Sequence, residues 1–160
     1  MTRIMEQEIQ MDSYSIPIEE VANYFLDKLD IETEDCISNL KLQKLVYYAQ
    51  GFVMALTDKK LFDEPIEAWE HGPVVRSLYQ KYKENGSAAI TKTKDLEYKS
   101  LSKYPEVMEI LDEVYQVYGQ FSAWKLRNMT HDETPWLDTN RNDVITDCKM
   151  LTFFKTQINS

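Results

Sequence analysis

The chain has 160 residues, 43% hydrophobic, 12% aromatic and 28% charged, a composition that folds rather than stays disordered. That length suits one domain with a real core and excludes two comfortable ones. The net charge of −9 is concentrated at the front: residues 1–35 hold ten of the 27 carboxylates against Arg3 and Lys28 alone, which argues against a nucleic-acid grip and suits a basic partner or a well-solvated surface.

With Gly 4 and Pro 5, the chain is poor in the residues that punctuate many short strands, so helices are expected. Cys36 and Cys148 set no disulfide framework and show no zinc spacing. No apolar run approaches the roughly 18 residues that span a bilayer, so no membrane partner is expected. Glu6, Glu8 and Asp12 make the N-terminus unlike a secretory signal, and a reduced, cytoplasmic compartment is the simplest reading.

Residues 1–14 show no helical or strand period and read as a loose arm before a domain spanning 15–160. Helix signals begin at Ser15-Ile16-Pro17, where proline and Glu19-Glu20 suit a first turn. Ile18, Val21, Ala22, Phe25, Leu26 and Leu29 hold one face, and the acidic residues 30–35 form a connection. Ser38 is a candidate N-cap for the central helix, residues 38–55. There Leu42, Leu45, Val46, Ala49 and Val53 line one face, while Leu40, Tyr47, Tyr48, Gly51 and Ala55 cluster on the other. Only a strip around Lys41, Gln43 and Gln50 looks made for water. A helix apolar nearly all round is a buried one. Lys44 interrupts the second face, so either that face binds something or Lys44 meets a carboxylate.

Beyond a polar turn at residues 57–60, the alternation of Ile66, Ala68 and His71 suggests a short strand, and residues 87–100 are its candidate hairpin partner. Pro73 is placed to open a helix carrying Val75, Leu78, Tyr79 and Tyr82, stopped by Asn85-Gly86. Pro105 starts a clear helix through Val107, Ile110, Leu111, Val114, Tyr115 and Tyr118. Ser122 caps a short one through Trp124, Leu126 and Met129. Residues 130–136 are non-periodic, and the last helix runs over residues 146–156. The expected fold is mainly α, a single compact helical domain around a central buried helix, with a short β-hairpin.

The chain has no nucleophile elbow, no glycine-rich phosphate loop and no HExxH. Any histidine chemistry must use His71 or His131, and His131-Asp132-Glu133 offers an imidazole beside two carboxylates. A small metal-dependent hydrolase at His71, His131 and Glu133 is the enzymatic alternative. A histidine that locks a turn is the commoner outcome, and no cofactor is expected. The lysines at 92, 94, 99 and 103 alternate with Tyr98 and Tyr104, but Asp95 and Glu97 break the pattern, so direct nucleic-acid contact is not expected. Trp69, Trp124 and Trp136 suit either binding or core packing.

Three stretches together are specific: Leu40-Lys41-Leu42-Gln43-Lys44-Leu45-Val46-Tyr47-Tyr48-Ala49-Gln50-Gly51, Ile66-Glu67-Ala68-Trp69-Glu70-His71-Gly72-Pro73-Val74-Val75 and Thr130-His131-Asp132-Glu133-Thr134-Pro135-Trp136. In this order they resemble the Panacea domain, also known as the SocA-like or phage-associated GepA family. Phe52 and Met129 stand where the family more often has Trp and Leu, swaps that keep an apolar side chain.

The resemblance implies a non-enzymatic antitoxin, encoded beside a toxin, often on a prophage, that neutralises it by direct contact. It also implies an alternative: an adaptor delivering a partner to a cytoplasmic AAA+ protease, with residues 1–14 as the docking segment. Partner-binding residues are expected at Tyr47, Tyr48, Trp69, His71, Pro73, His131 and Trp136. Fold-holding motif residues are expected at Leu42, Lys44, Leu45, Gly51, Gly72 and Pro135. A motif shared across unrelated toxins suits a structural role, so Lys44 is expected to be buried and paired with backbone carbonyls or with Glu67 or Glu133.

Overall fold

The computed structural model describes residues 10–29, 37–91 and 96–158. Residues 10–14, read from sequence as part of a loose arm, are docked. Strand β1 (Asp12–Ser13) lies parallel to β2 (Lys59–Lys60), with Asp12 opposite Lys59. The Tyr14 amide donates to the Lys60 carbonyl at 2.8 Å and the Ile16 amide to that of Leu61 at 3.0 Å. The rest of the arm, residues 1–9, and the acidic connection with Cys36 lie outside the described residues.

Helix α1 (Ile18–Asp27) follows Pro17 and buries Ile18, Val21, Ala22, Phe25 and Leu26. Helix α2 (Asn39–Thr57) is the centre of the molecule. The Ser38 hydroxyl caps it, accepting from the Lys41 amide at 3.2 Å. Asp58, left-handed at φ 59°, ends it. Both apolar faces are buried, and so is most of the strip expected to meet water: Gln43 and Gln50 are sealed inside. Gln43 accepts from the Val75 amide at 2.9 Å and donates to the Asn39 side chain at 3.0 Å. Gln50 accepts from the Leu61 amide at 2.7 Å and donates to the Phe62 carbonyl at 2.8 Å. Both amides therefore fasten passing chain to the helix rather than facing solvent.

The hairpin is tighter than the sequence suggested. Strand β3 (Glu67–Trp69) pairs antiparallel with β4 (Gly72–Val74), not with residues 87–100. Ala89 bridges Ser38 instead, and the Ile90 amide donates to Ile37 at 2.8 Å. Gly72, at φ 109°, re-aims the chain after the turn at Glu70 and His71. Pro73 sits inside β4 rather than opening a helix. Its partner Ala68 turns its amide and carbonyl to the opposite side, to Asp143 and Asn142, so no hydrogen bond is asked of the proline nitrogen. The helix begins three residues later, as α3 (Arg76–Tyr82).

Helices α4 (Pro105–Tyr118), α5 (Ala123–His131), α6 (Thr134–Leu137) and α7 (Asp147–Ile158) complete the set. The segment 130–136, read as non-periodic, divides between α5 and α6, with Pro135 in the first turn of α6, where no amide is needed. Helix α7 packs on α2 through Phe154, whose ring lies where a Cβ on Gly51 would sit. The fold is mainly α, with two small strand pairs among the described residues. No helix among them is long and apolar enough to cross a membrane.

Candidate functional site

Lys44 is completely buried, at 0% exposure, on the face of α2 that turns toward the hairpin. Its ammonium donates to the Pro73 carbonyl at 3.1 Å. Of the alternatives the sequence left open, the backbone carbonyl is realised, and both candidate carboxylates are engaged elsewhere. Burial, with the Arg127 charge adding to it, pulls the Lys44 amine down to about 7. A Cβ on Gly72 would lie 2.6 Å from the Lys44 Cε and 2.7 Å from the Thr130 hydroxyl, so only glycine fits over the lysine. The motif pairing of Lys44 with Gly72-Pro73 is thus a single contact between helix and hairpin.

One turn on, the Tyr47 and Tyr48 hydroxyls donate to the two carboxylate oxygens of Glu133, at 2.9 and 2.8 Å. Burial pushes Glu133 up to about 7, against the two hydroxyls that hold it down. Burial and the adjacent carboxylate raise both tyrosines. Tyr118 stacks on Tyr48 with centroids 3.9 Å apart, and Phe154 meets both tyrosines edge-on. Tyr47 and Tyr48 were expected to face a partner; they are buried instead, as the inner wall that clamps the α5–α6 corner to α2.

The other carboxylate, Glu67, accepts from the Trp69 indole at 3.0 Å and pairs with Arg76 at 2.8 Å. Arg76, through its hydrogen bonds, holds that carboxyl below its ordinary range. The Trp136 indole donates to the Trp69 carbonyl at 2.7 Å. His131 and the Arg141 guanidinium lie against the Trp136 ring, at 3.8 and 3.6 Å from its centroid. Burial lowers the His131 imidazole, with Arg127 adding to the effect. His71, Glu133 and His131 do not converge: His71 meets Trp124 and Arg127, Glu133 meets the tyrosines, and His131 stacks on Trp136. No group of three His, Cys, Asp or Glu that could hold a metal ion is found among the described residues.

Of the seven expected partner-facing residues, His71 is exposed, Trp69, His131 and Trp136 are half-buried, and Pro73 is buried with the tyrosines. A groove of about 370 Å³ opens beside Trp69 and His71, walled by Leu40, Val74 and Tyr79. Next to it stands Trp124, 55% exposed, with the Arg127 guanidinium 4.5 Å from its ring centroid and His71 at 5.8 Å. In sequence Trp124 suits either binding or core packing. Leu126 and Thr130 hold the buried side of its helix, which turns position 124 outward.

Comparison with known proteins gives the chain a family. Residues 42–137 match the family described as "Antitoxin SocA-like, Panacea domain". The matched span begins at Leu42 and closes on α6, so it contains Lys44, the tyrosine pair, the hairpin and Glu133. The chain is 32% identical over 140 residues to Antitoxin SocA of Caulobacter vibrioides (strain NA1000 / CB15N), covering 80% of this chain and 72% of that protein. No solved structure matches the chain. The chain therefore belongs to the SocA-like antitoxin family and carries its Panacea domain.

Proposed function

We propose that this protein is the antitoxin of a toxin–antitoxin pair and neutralises a co-encoded toxin in the cytoplasm by direct protein–protein contact, without turnover. One contact face is the hairpin tip with the exposed side of α5, built from Trp69, His71 and Trp124. The observation that carries this reading is Trp124, a large aromatic side chain left 55% in solvent on a helix that buries its other side through Leu126 and Thr130. An aromatic anchor beside an open groove and an arginine is the composition that dominates binding energy at protein interfaces. The buried motif residues support it from the other side, because Lys44 and Tyr48 are occupied in holding the hairpin and α5 in register.

Co-expression with the neighbouring gene product tests it. The expected outcome is a stable complex and rescue of growth. Trp124→Ala and His71→Ala should weaken the complex at least tenfold, about 1.4 kcal/mol or more, with an unchanged melting temperature. A toxic neighbour that neither binds nor is neutralised would end the antitoxin reading.

A further inference from the structure

A second groove, apolar and of about 140 Å³, shares no residue with the first and lies between the C-terminal half of α2 and α4. Its floor is Phe52, Val114 and Tyr118. Its walls carry Leu56 and Val117, each 49% exposed. The volume matches one large apolar side chain: a cavity of about 150 Å³ holds a benzene ring. None of the three motif stretches contributes α4.

The rim has one sign. Helix α4 carries Glu106, Glu109, Asp112 and Glu113 and no cation. Asp112 is engaged, pairing with Lys28 and accepting from the Tyr24 hydroxyl. At 100° per residue the other three fall on the flank beside Ile110 and Val117, forming an exposed carboxylate rail along the groove. At the α2 end, Lys155 pairs with Asp58 at 3.2 Å, and Lys59 lies 5.0 Å from the Tyr14 ring centroid. An apolar slot flanked by exposed carboxylates is the complement of an amphipathic helix with basic edges.

We infer that the α2–α4 groove docks a basic amphipathic helix of the neutralised toxin. One of its large apolar side chains enters between Leu56 and Val117, and lysine or arginine residues on its flank meet Glu113, Glu109 and Glu106. The inference rests on the antitoxin reading for the identity of the occupant, but not for the chemistry of the groove. It assigns partner choice to a surface that the family motifs leave untouched.

Two measurements on the full chain separate the inferences. The first titrates a synthetic helical peptide of about 18 residues, with leucines at i, i+4, i+7 and i+11 flanked by lysines, and follows it by NMR. The expected result is binding that perturbs Leu56, Val117 and Glu113, weakened at least tenfold by Val117→Asp, by Glu113→Lys and by a lysine-to-glutamate twin peptide. Perturbations confined to His71 and Trp124, or equal binding of the acidic twin, would overturn it. So would a chain that sediments as a dimer until Val117→Asp makes it a monomer, since a second copy would then fill the groove. The second measurement binds the co-encoded toxin to the same variants. If toxin affinity is unchanged by both, the groove assignment fails and the antitoxin reading stands. If no toxin binds while the peptide still maps to the groove, the antitoxin reading fails and the groove's chemistry stands. Both substituted positions are exposed, so the fold survives either change.

Discussion

Gly51 shows how little freedom the central helix has. A Cβ there would overlap the Phe154 ring, which also contacts Tyr47, Tyr48 and Phe52. Gly51→Ala should destabilise the fold by about 1–3 kcal/mol, the usual cost of overpacking, despite alanine's better helix propensity. Adding Phe154→Leu should recover part of that loss, a non-additivity that a double-mutant cycle in urea would read directly. Two titrating residues give a further prediction. Glu133 keeps its proton up to about pH 7 in the fold, but the unfolded chain releases it near 4.5, so its contribution to stability falls as pH rises between those values. Lys44 behaves in the opposite way: the fold releases its proton at about 7 and the unfolded chain near 10.5, so its contribution rises across that window. The sum is a stability minimum near pH 7. Denaturation from pH 5 to 9 should show the acid limb flattened by Glu133→Gln, by roughly 3 kcal/mol at 1.36 kcal/mol per pH unit, and the alkaline limb flattened by Lys44→Met. Unchanged limbs in these variants would refute the assignment.

At the scale of elements, the helices were legible and their fasteners were not. Apolar spacing and the serine and proline signals located α1, α2, α4 and α5 to within a few residues, because caps and amphipathic faces are local chemistry. Gln43 and Gln50 were misread as solvent-facing. A side-chain amide on a helix looks the same in sequence whether it meets water or the backbone of a loop thirty residues away. The hairpin was misplaced for a similar reason: Pro73 signals a helix start by its fixed φ and missing donor, and both properties also suit a strand position whose neighbour bonds outward. The candidate site was legible as a set of motifs, but which residues of each motif face outward was not. Tyr47 and Tyr48 are buried because Glu133, Tyr118 and Phe154 close over them. Gln50→Leu tests the fastener role. It keeps the volume but strands the Leu61 amide and the Phe62 carbonyl, and should cost about 2–4 kcal/mol in chemical denaturation.

For the molecule as a whole, charge is sorted between surfaces. Helix α4 carries four carboxylates and no cation, whereas α5, with Lys125 and Arg127, carries no carboxylate at all. The chain is strongly acidic in total, at −9, yet the proposed contact face around Trp124 is locally basic. A basic partner is therefore drawn in by the overall field and met by the α4 carboxylates, while the face around Trp124 supplies aromatic contact. Association with a basic toxin should slow steeply as salt rises, because long-range steering is screened beyond about 8 Å at physiological ionic strength. Dissociation, governed by the aromatic contacts, should change little. Stopped-flow rates at several salt concentrations would separate the two, and a salt-independent association rate would rule out steering.

The seating of Phe154 against Gly51 also has a consequence in time. Helix α7 is the last described element to leave the ribosome, yet its ring closes the wall around Tyr47 and Tyr48 in the second helix. A nascent chain stopped before α7 holds those tyrosines without the Phe154 part of their cover, so the domain locks only after synthesis has passed that helix. In a pair whose two members are made side by side, that ordering delays the protective partner by its own final turns of helix.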